Sequence, residues 1–135
     1  MKIEGELRKD LVWERIDGQC IALKNSYTIG ANKLGERFIV KSQAMKAYEK
    51  NFDRQCQIYR DRNISKPCKL HLVVYESSNA FDLDNSVSSV CDALQRNHVV
   101  VNDNLIHLLE CRKVVDPAHP RICYAVEELE PTLFG

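Results

Sequence analysis

The period of the apolar residues changes repeatedly along this chain, and the order of those periods constrains the fold more than any single motif. From Ser42 onward, Met45, Tyr48, Phe52, Cys56 and Tyr59 recur at three- and four-residue steps. That spacing predicts one amphipathic helix with Ser42 as its N-cap, ended by the stretch 63–67. Leu70, Leu72 and Val74 then alternate with His71, Val73 and Tyr75, which predicts a half-buried strand. Val87, Val90, Cys91 and Leu94 return to helical spacing, giving a short helix from near Asn85 to near Gln95. Two further strands are expected around 105–115 and 121–127, parted by the turn-forming Asp116-Pro117-Ala118-His119-Pro120. Ahead of the first helix, residues 2–29 read as short strands with a turn at Asp17-Gly18 and a loop through Asn25. A polar connection at 30–35 and the apolar run Phe38-Ile39-Val40 follow. The order β, α, β, α, β, β groups the strands instead of alternating them strictly with helices. The fold class is therefore α+β: one small domain over 1–135, with a mixed sheet and two main helices.

Composition excludes several alternatives. No stretch is long and apolar enough to span a bilayer, and Met1-Lys2-Ile3-Glu4-Gly5-Glu6 lacks the basic-then-apolar order of a signal peptide. A cytoplasmic location away from membranes is expected. The six cysteines form no C-x-x-C pair and no Cys/His pair at zinc spacing, and Cys91, Cys111 and Cys123 fall on core-type positions. Free thiols are expected. A formal net charge of +0 excludes a strongly cationic protein. Charge is uneven, however. Lys24, Lys33, Arg37, Lys41, Lys46 and Lys50 are opposed between them only by Glu36 and Glu49, so either a local basic surface or a solvated face is compatible with the sequence.

The densest chemical signal is Asp82-Leu83-Asp84-Asn85 at a loop-to-helix junction. Two carboxylates one residue apart on an extended segment can turn toward one hard cation, which keeps water sites open for a phosphate. The same residues also suit a plain helix N-cap, where a carboxylate meets backbone N–H groups and the helix dipole. Asp92 lies eight residues after Asp84, about 80° around an ideal helix. Asp103 follows Val99-Val100-Val101 and would return to the same spot if that run packs on the core. His71 reads as a packed or rim residue, and His98 as a candidate near the acidic block.

Asp82-Leu83-Asp84-Asn85, then Asp92-Ala93-Leu94, then Asn102-Asp103-Asn104 before a strand closed by Arg112-Lys113, resembles the signature of the RusA family of Holliday junction resolvases. The resemblance extends back through Lys46-x-Tyr48 to Asn25-Ser26-Tyr27, from about residue 24 to 128. It implies a RusA-like domain and a Mg²⁺-dependent endodeoxyribonuclease, with Mn²⁺ as a substitute ion. Such an enzyme acts as a homodimer that resolves four-way DNA junctions by paired symmetric nicks. On matching positions Asp82, Asp84 and Asp103 are the catalytic, metal-binding carboxylates, and their side chains should converge within shared-cation distance. Asn85, Ser88, Asp92, Asn102 and Lys113 are secondary candidates. Lys24, Asn25, Lys33, Arg37, Lys41 and Lys46 are candidate DNA contacts.

Two positions depart from the family pattern. A lysine four residues after the second aspartate is replaced by Ser88, and an aspartate before Asp103 by Asn102. Loss of a cation beside a phosphate lowers a rate by on the order of a hundredfold. The alternative reading is therefore a catalytically weakened RusA-like dimer that binds branched DNA. A D-x-D phosphotransferase or phosphatase of another fold ranks last, because that class needs its first aspartate at the end of a buried strand, and Ser77-Ser78-Asn79-Ala80 intervenes.

Overall fold

The structure, a computed structural model, describes residues 7–22, 27–31 and 33–130. Lys24 and Asn25 lie outside the described residues. Among those described, the chain runs β1 (Glu14–Asp17), β2 (Tyr27–Ala31), β3 (Arg37–Lys41), α1 (Gln43–Gln55), β4 (Cys68–Glu76), α2 (Leu83–Arg96), a 3-10 turn (Asp103–Leu105), β5 (Ile106–Val115) and β6 (Arg121–Glu128). The main sheet has the order β1-β6-β4-β5. β4 is antiparallel to β6 and parallel to β5. A parallel neighbour cannot be reached by a tight turn, so α2 forms the crossover between β4 and β5. The expected mixed sheet with two helices in one α+β domain is what forms. β2 and β3 make a separate antiparallel hairpin, so Gly30 and Ala31 are strand residues and not part of a polar connection.

Leu70, Leu72 and Val74 on β4 face the helices together with Ile16, Ile122 and Tyr124, against Met45, Tyr48 and Phe52 of α1 and Val90, Ala93 and Leu94 of α2. The opposite face is also covered: Val73, Tyr75 and Cys123 cluster there under Leu7 and Trp13. β4 is thus buried on both faces, not one. It is the strand between β6 and β5, and the segment ahead of β1 closes the side that alternation alone would leave wet. All six cysteines are free thiols, as expected. No helix of the described residues is long and apolar enough to cross a membrane.

Ser42 caps α1, its Oγ accepting from Met45 N at 3.1 Å. The helix stops at Gln55, well short of 63–67. The physical reason is Glu14, a buried carboxylate on β1. Its Oε2 accepts the backbone N–H groups of Gln57 and Ile58, each at 2.8 Å. Its Oε1 accepts from Tyr59 N at 3.3 Å and from the Tyr124 hydroxyl at 2.6 Å. Those donors belong to the bend, so Cys56 and Tyr59 reach the core from a turn and not from a helix stripe. At Gly18 the backbone has φ +111°, and a Cβ there would lie 3.0 Å from Asn51 Nδ2. The predicted turn accordingly needs glycine for both conformation and space.

Candidate active site

α2 begins at Leu83, two residues ahead of Asn85, and Asp82 is its N-cap by position. Asp82 makes no side-chain cap hydrogen bond, and both Asp82 and Asp84 are exposed. The plain N-cap role is therefore not the one Asp82 plays. The helix start is instead fastened from beneath. Ser86 Oγ donates to Glu76 Oε1 at 2.9 Å, and Gln19 Nε2 donates to Glu76 Oε2 at 2.5 Å. Gln19 Oε1 accepts from Ser77 N at 2.8 Å, and Ser89 Oγ donates to the Ile21 carbonyl. The end of β4, the segment after β1 and the first two turns of α2 thus form one hydrogen-bonded unit. Lys113 of β5 secures the loop from the other side, donating to the carbonyls of Phe81 at 2.8 Å and Asn79 at 3.4 Å. Asp84 borders an open apolar hollow of ≈ 370 Å³ with Leu83, Val87, Leu109 and Cys111. Ser88 is exposed and its Oγ points back to the Asp84 carbonyl at 3.4 Å.

Asp103 lies at the other end of the same helix. Its backbone N–H donates to Gln95 Oε1 at 2.9 Å. Asn102 Oδ1 accepts from Asn104 N at 3.0 Å, so Asn102 caps the 3-10 turn and does not stand beside Asp82. From Asp84 to Gln95 the helix axis runs about 16 Å. The strand register agrees: Glu76, which leads toward Asp82, pairs with Val115, whereas Ile106, which follows Asp103, pairs with Cys68. Among the described residues, no three His, Cys, Asp or Glu side chains group as metal ligands. The expected convergence of Asp82, Asp84 and Asp103 therefore does not occur within one chain. The reason is topological, since a parallel β4–β5 pair sets the two segments at opposite ends of the crossover helix. Cys91 sits between, its thiol pushed up to about 11 by burial and further by the Asp103 carboxylate.

Asp92 is committed elsewhere. Its carboxylate accepts from Arg96 Nη1 at 3.1 Å, four residues on. Arg96 also holds Glu49 at 3.0 Å and Asp53 at 2.7 Å, tying α2 to α1. Burial pushes the Asp53 carboxyl up, but hydrogen bonds from Arg96 and Asn97 outweigh it and hold the group below its ordinary value. Among the candidate DNA contacts, Lys33, Arg37 and Lys46 are exposed, while Lys41 is bound to Glu49 at 2.6 Å. His71 is buried between Glu110 (3.2 Å) and Glu127 (2.9 Å) on the face away from the helices. His98 is exposed and takes a turn conformation with φ 57°. Trp13 packs edge-on to His71 and donates to the Arg8 carbonyl, which makes it a covering residue.

Sequence reasoning missed Glu76 and Gln19. Glu76 was findable, because it occupies the next core-facing position after Leu70, Leu72 and Val74. A carboxylate in that register needs donors. Gln19 carries no such signal.

An exposed pair of carboxylates at the head of a crossover helix, on a loop that Lys113 secures, has the donor chemistry of a divalent-cation phosphate site. Residues 30–127 match the family model described as endodeoxyribonuclease RusA, and the chain belongs to that family. Membership implies a Holliday-junction-resolving endonuclease acting on branched DNA, of a family generally dependent on divalent metal. Among curated proteins no match was found.

Proposed function

We propose that this protein is a Mg²⁺-dependent homodimeric endodeoxyribonuclease that resolves four-way DNA junctions by paired nicks in the cytoplasm, in recombination and repair. The observation that carries the reading is the exposed Asp82–Asp84 pair, on a loop and helix start fastened through Glu76, Gln19 and Lys113, with Asp82 making no side-chain cap bond. Those two carboxylates would hold the cation. Their oxygen chemistry suits Mg²⁺, which takes one or two protein carboxylates and leaves room for substrate. Bound there, the cation supplies charge stabilisation and a water of lowered pKa to phosphodiester hydrolysis. Lys113 spends hydrogen bonds on two carbonyls and brings its positive charge to the same loop, where it partly offsets the cation lost at Ser88. Ser88 offers only a hydroxyl.

Asp103 joins the site from a second copy. β5 is an edge strand whose Leu108, Leu109 and Val115 are 51%, 46% and 46% exposed. Two-fold pairing of such edges runs the copies antiparallel, which sets the Asp103 end of one beside the Asp82–Asp84 end of the other. A weakened, DNA-binding dimer is the second reading, favoured by the neutral Ser88 hydroxyl, which donates to the Asp84 carbonyl of its own helix. The test is a synthetic four-way junction with Mg²⁺ or Mn²⁺ and an Asp82→Asn control. Paired symmetric nicks that vanish in the variant support the enzyme. Tight binding without nicks selects the second reading, and neither binding nor nicking overturns both.

A further inference from the structure

The sides of α1 differ in what they do with charge. Met45, Tyr48 and Phe52 face the core. Glu49 and Asp53 flank that stripe on the α2 side, where Arg96 binds both and Lys41 binds Glu49. Nearly opposite the core stripe, Lys46, Lys50 and Arg54 follow one another at four-residue steps, all exposed. Consecutive positions are about 6 Å apart along the axis, so the row is about 12 Å long. Among the described residues, neither Lys46 nor Lys50 has a carboxylate at ion-pair distance, and Arg54 donates to the Asn51 side-chain oxygen at 2.8 Å. The neighbouring Asp17 carboxylate is taken up by Arg15 at 3.3 Å and His119 at 2.7 Å. A chain with zero formal net charge thus presents an unneutralised cationic ridge, because its nearby acids are tied inward.

We propose that the Lys46–Lys50–Arg54 ridge on the outer face of α1 binds the sugar–phosphate backbone of one duplex arm of the DNA substrate. The proposal rests on the branched-DNA reading above and adds to it a surface remote from the start of α2. Charge complementarity selects the occupant. A 12 Å row of cations spans about three phosphates of one strand, at 3.4 Å of axial rise each. Such contacts position an arm and carry no sequence information.

The experiment measures binding of Asp82→Asn protein to a labelled four-way junction by anisotropy, from about 50 to 200 mM salt. It compares that protein with the same chain also carrying Lys46→Ala, Lys50→Ala and Arg54→Ala, and with a charge-keeping Lys46→Arg, Lys50→Arg version. Each lost phosphate contact flattens the log–log salt slope by about 0.9, so the alanine protein should lose about two to three units of slope. Its affinity at low salt should fall on the order of tenfold or more, while the arginine version binds as the parent does. A linear duplex of the same arm sequence should show the same loss. An unchanged slope in the alanine protein, with the parent binding normally, overturns the ridge and leaves the junction reading intact. Failure of the parent to bind DNA at all overturns both. Circular dichroism of the alanine protein checks that α1 is folded.

Discussion

The two ends of α2 carry similar residues in opposite circumstances. At its C-terminal end Asp92, Asp53 and Glu49 all contact Arg96, and Asn97 Nδ2 donates to Asp53 Oδ1 at 2.9 Å. At its N-terminal end Asp82 and Asp84 stand exposed, and Asp82 does not even cap the helix it heads. Hydrogen bonds from Ser86, Ser89 and Lys113 hold the helix start and its preceding loop in place there. Acids that the fold uses are paired. Acids at the surface of the helix start are within reach of solvent and of a ligand. The contrast separates Asp92, a structural acid, from its near neighbours in sequence.

The largest expected effect tests the N-terminal end. Asp82→Asn or Asp84→Asn should lower junction cleavage by on the order of a thousandfold, with stability changed by no more than about 0.5 kcal/mol. A stability loss comparable to that of a core variant would abolish the contrast between the two ends. Mixing Asp84→Asn with Asp103→Asn protein sharpens it further. If Asp103 acts across the dimer, each mixed dimer regains one intact site, and nicking should recover to about a quarter of the wild-type level. Persistent silence of the mixture means that the carboxylates act within one chain.

Next comes Ser88→Lys, which restores a cation four residues after Asp84 and should raise single-turnover nicking by about tenfold. No gain would mean that Lys113 already fills the role. At the C-terminal end, Arg96→Ala leaves three carboxylates together without their common partner. With the pair partly exposed and screened, the cost should be about 1–2 kcal/mol in denaturant unfolding, with cleavage per folded molecule retained. The smallest effect is acid dependence. Asp53 is held below its ordinary value in the folded state, so its contribution is present above the unfolded value of about 3.9 and lost as pH falls below that. Thermal melts from pH 6 down to about pH 3 should show Asp53→Asn protein losing less stability than wild type.

Much of this was legible in the residues. Ser42 and the Met45–Tyr48–Phe52 stripe located the first helix, because cap and periodicity are local. Its end was not, because the group that stops it, Glu14, lies 43 residues from Gln57. The acidic motif at 82–85 was legible, and the place of Asp103 was not. Periodicity marks β4 and β5 as strands but says nothing of whether they pair parallel, and that pairing alone puts Asp103 at the far end of α2. The ties from Arg96 to Glu49 and Asp53 were not legible, because those two partners come from another helix.

Glu14 has one more consequence. The match to the family model starts at residue 30, yet Glu14 and Gln19 lie ahead of it, and β1 pairs with β6. A chain cut back to 30–127 would keep every proposed catalytic carboxylate and lose the one that turns the backbone after α1. Such a fragment should be recovered aggregated or unfolded, its catalytic residues all present and none of them held. The hydrogen bonds to Glu14 tie the segment ahead of residue 30 to the rest of the fold.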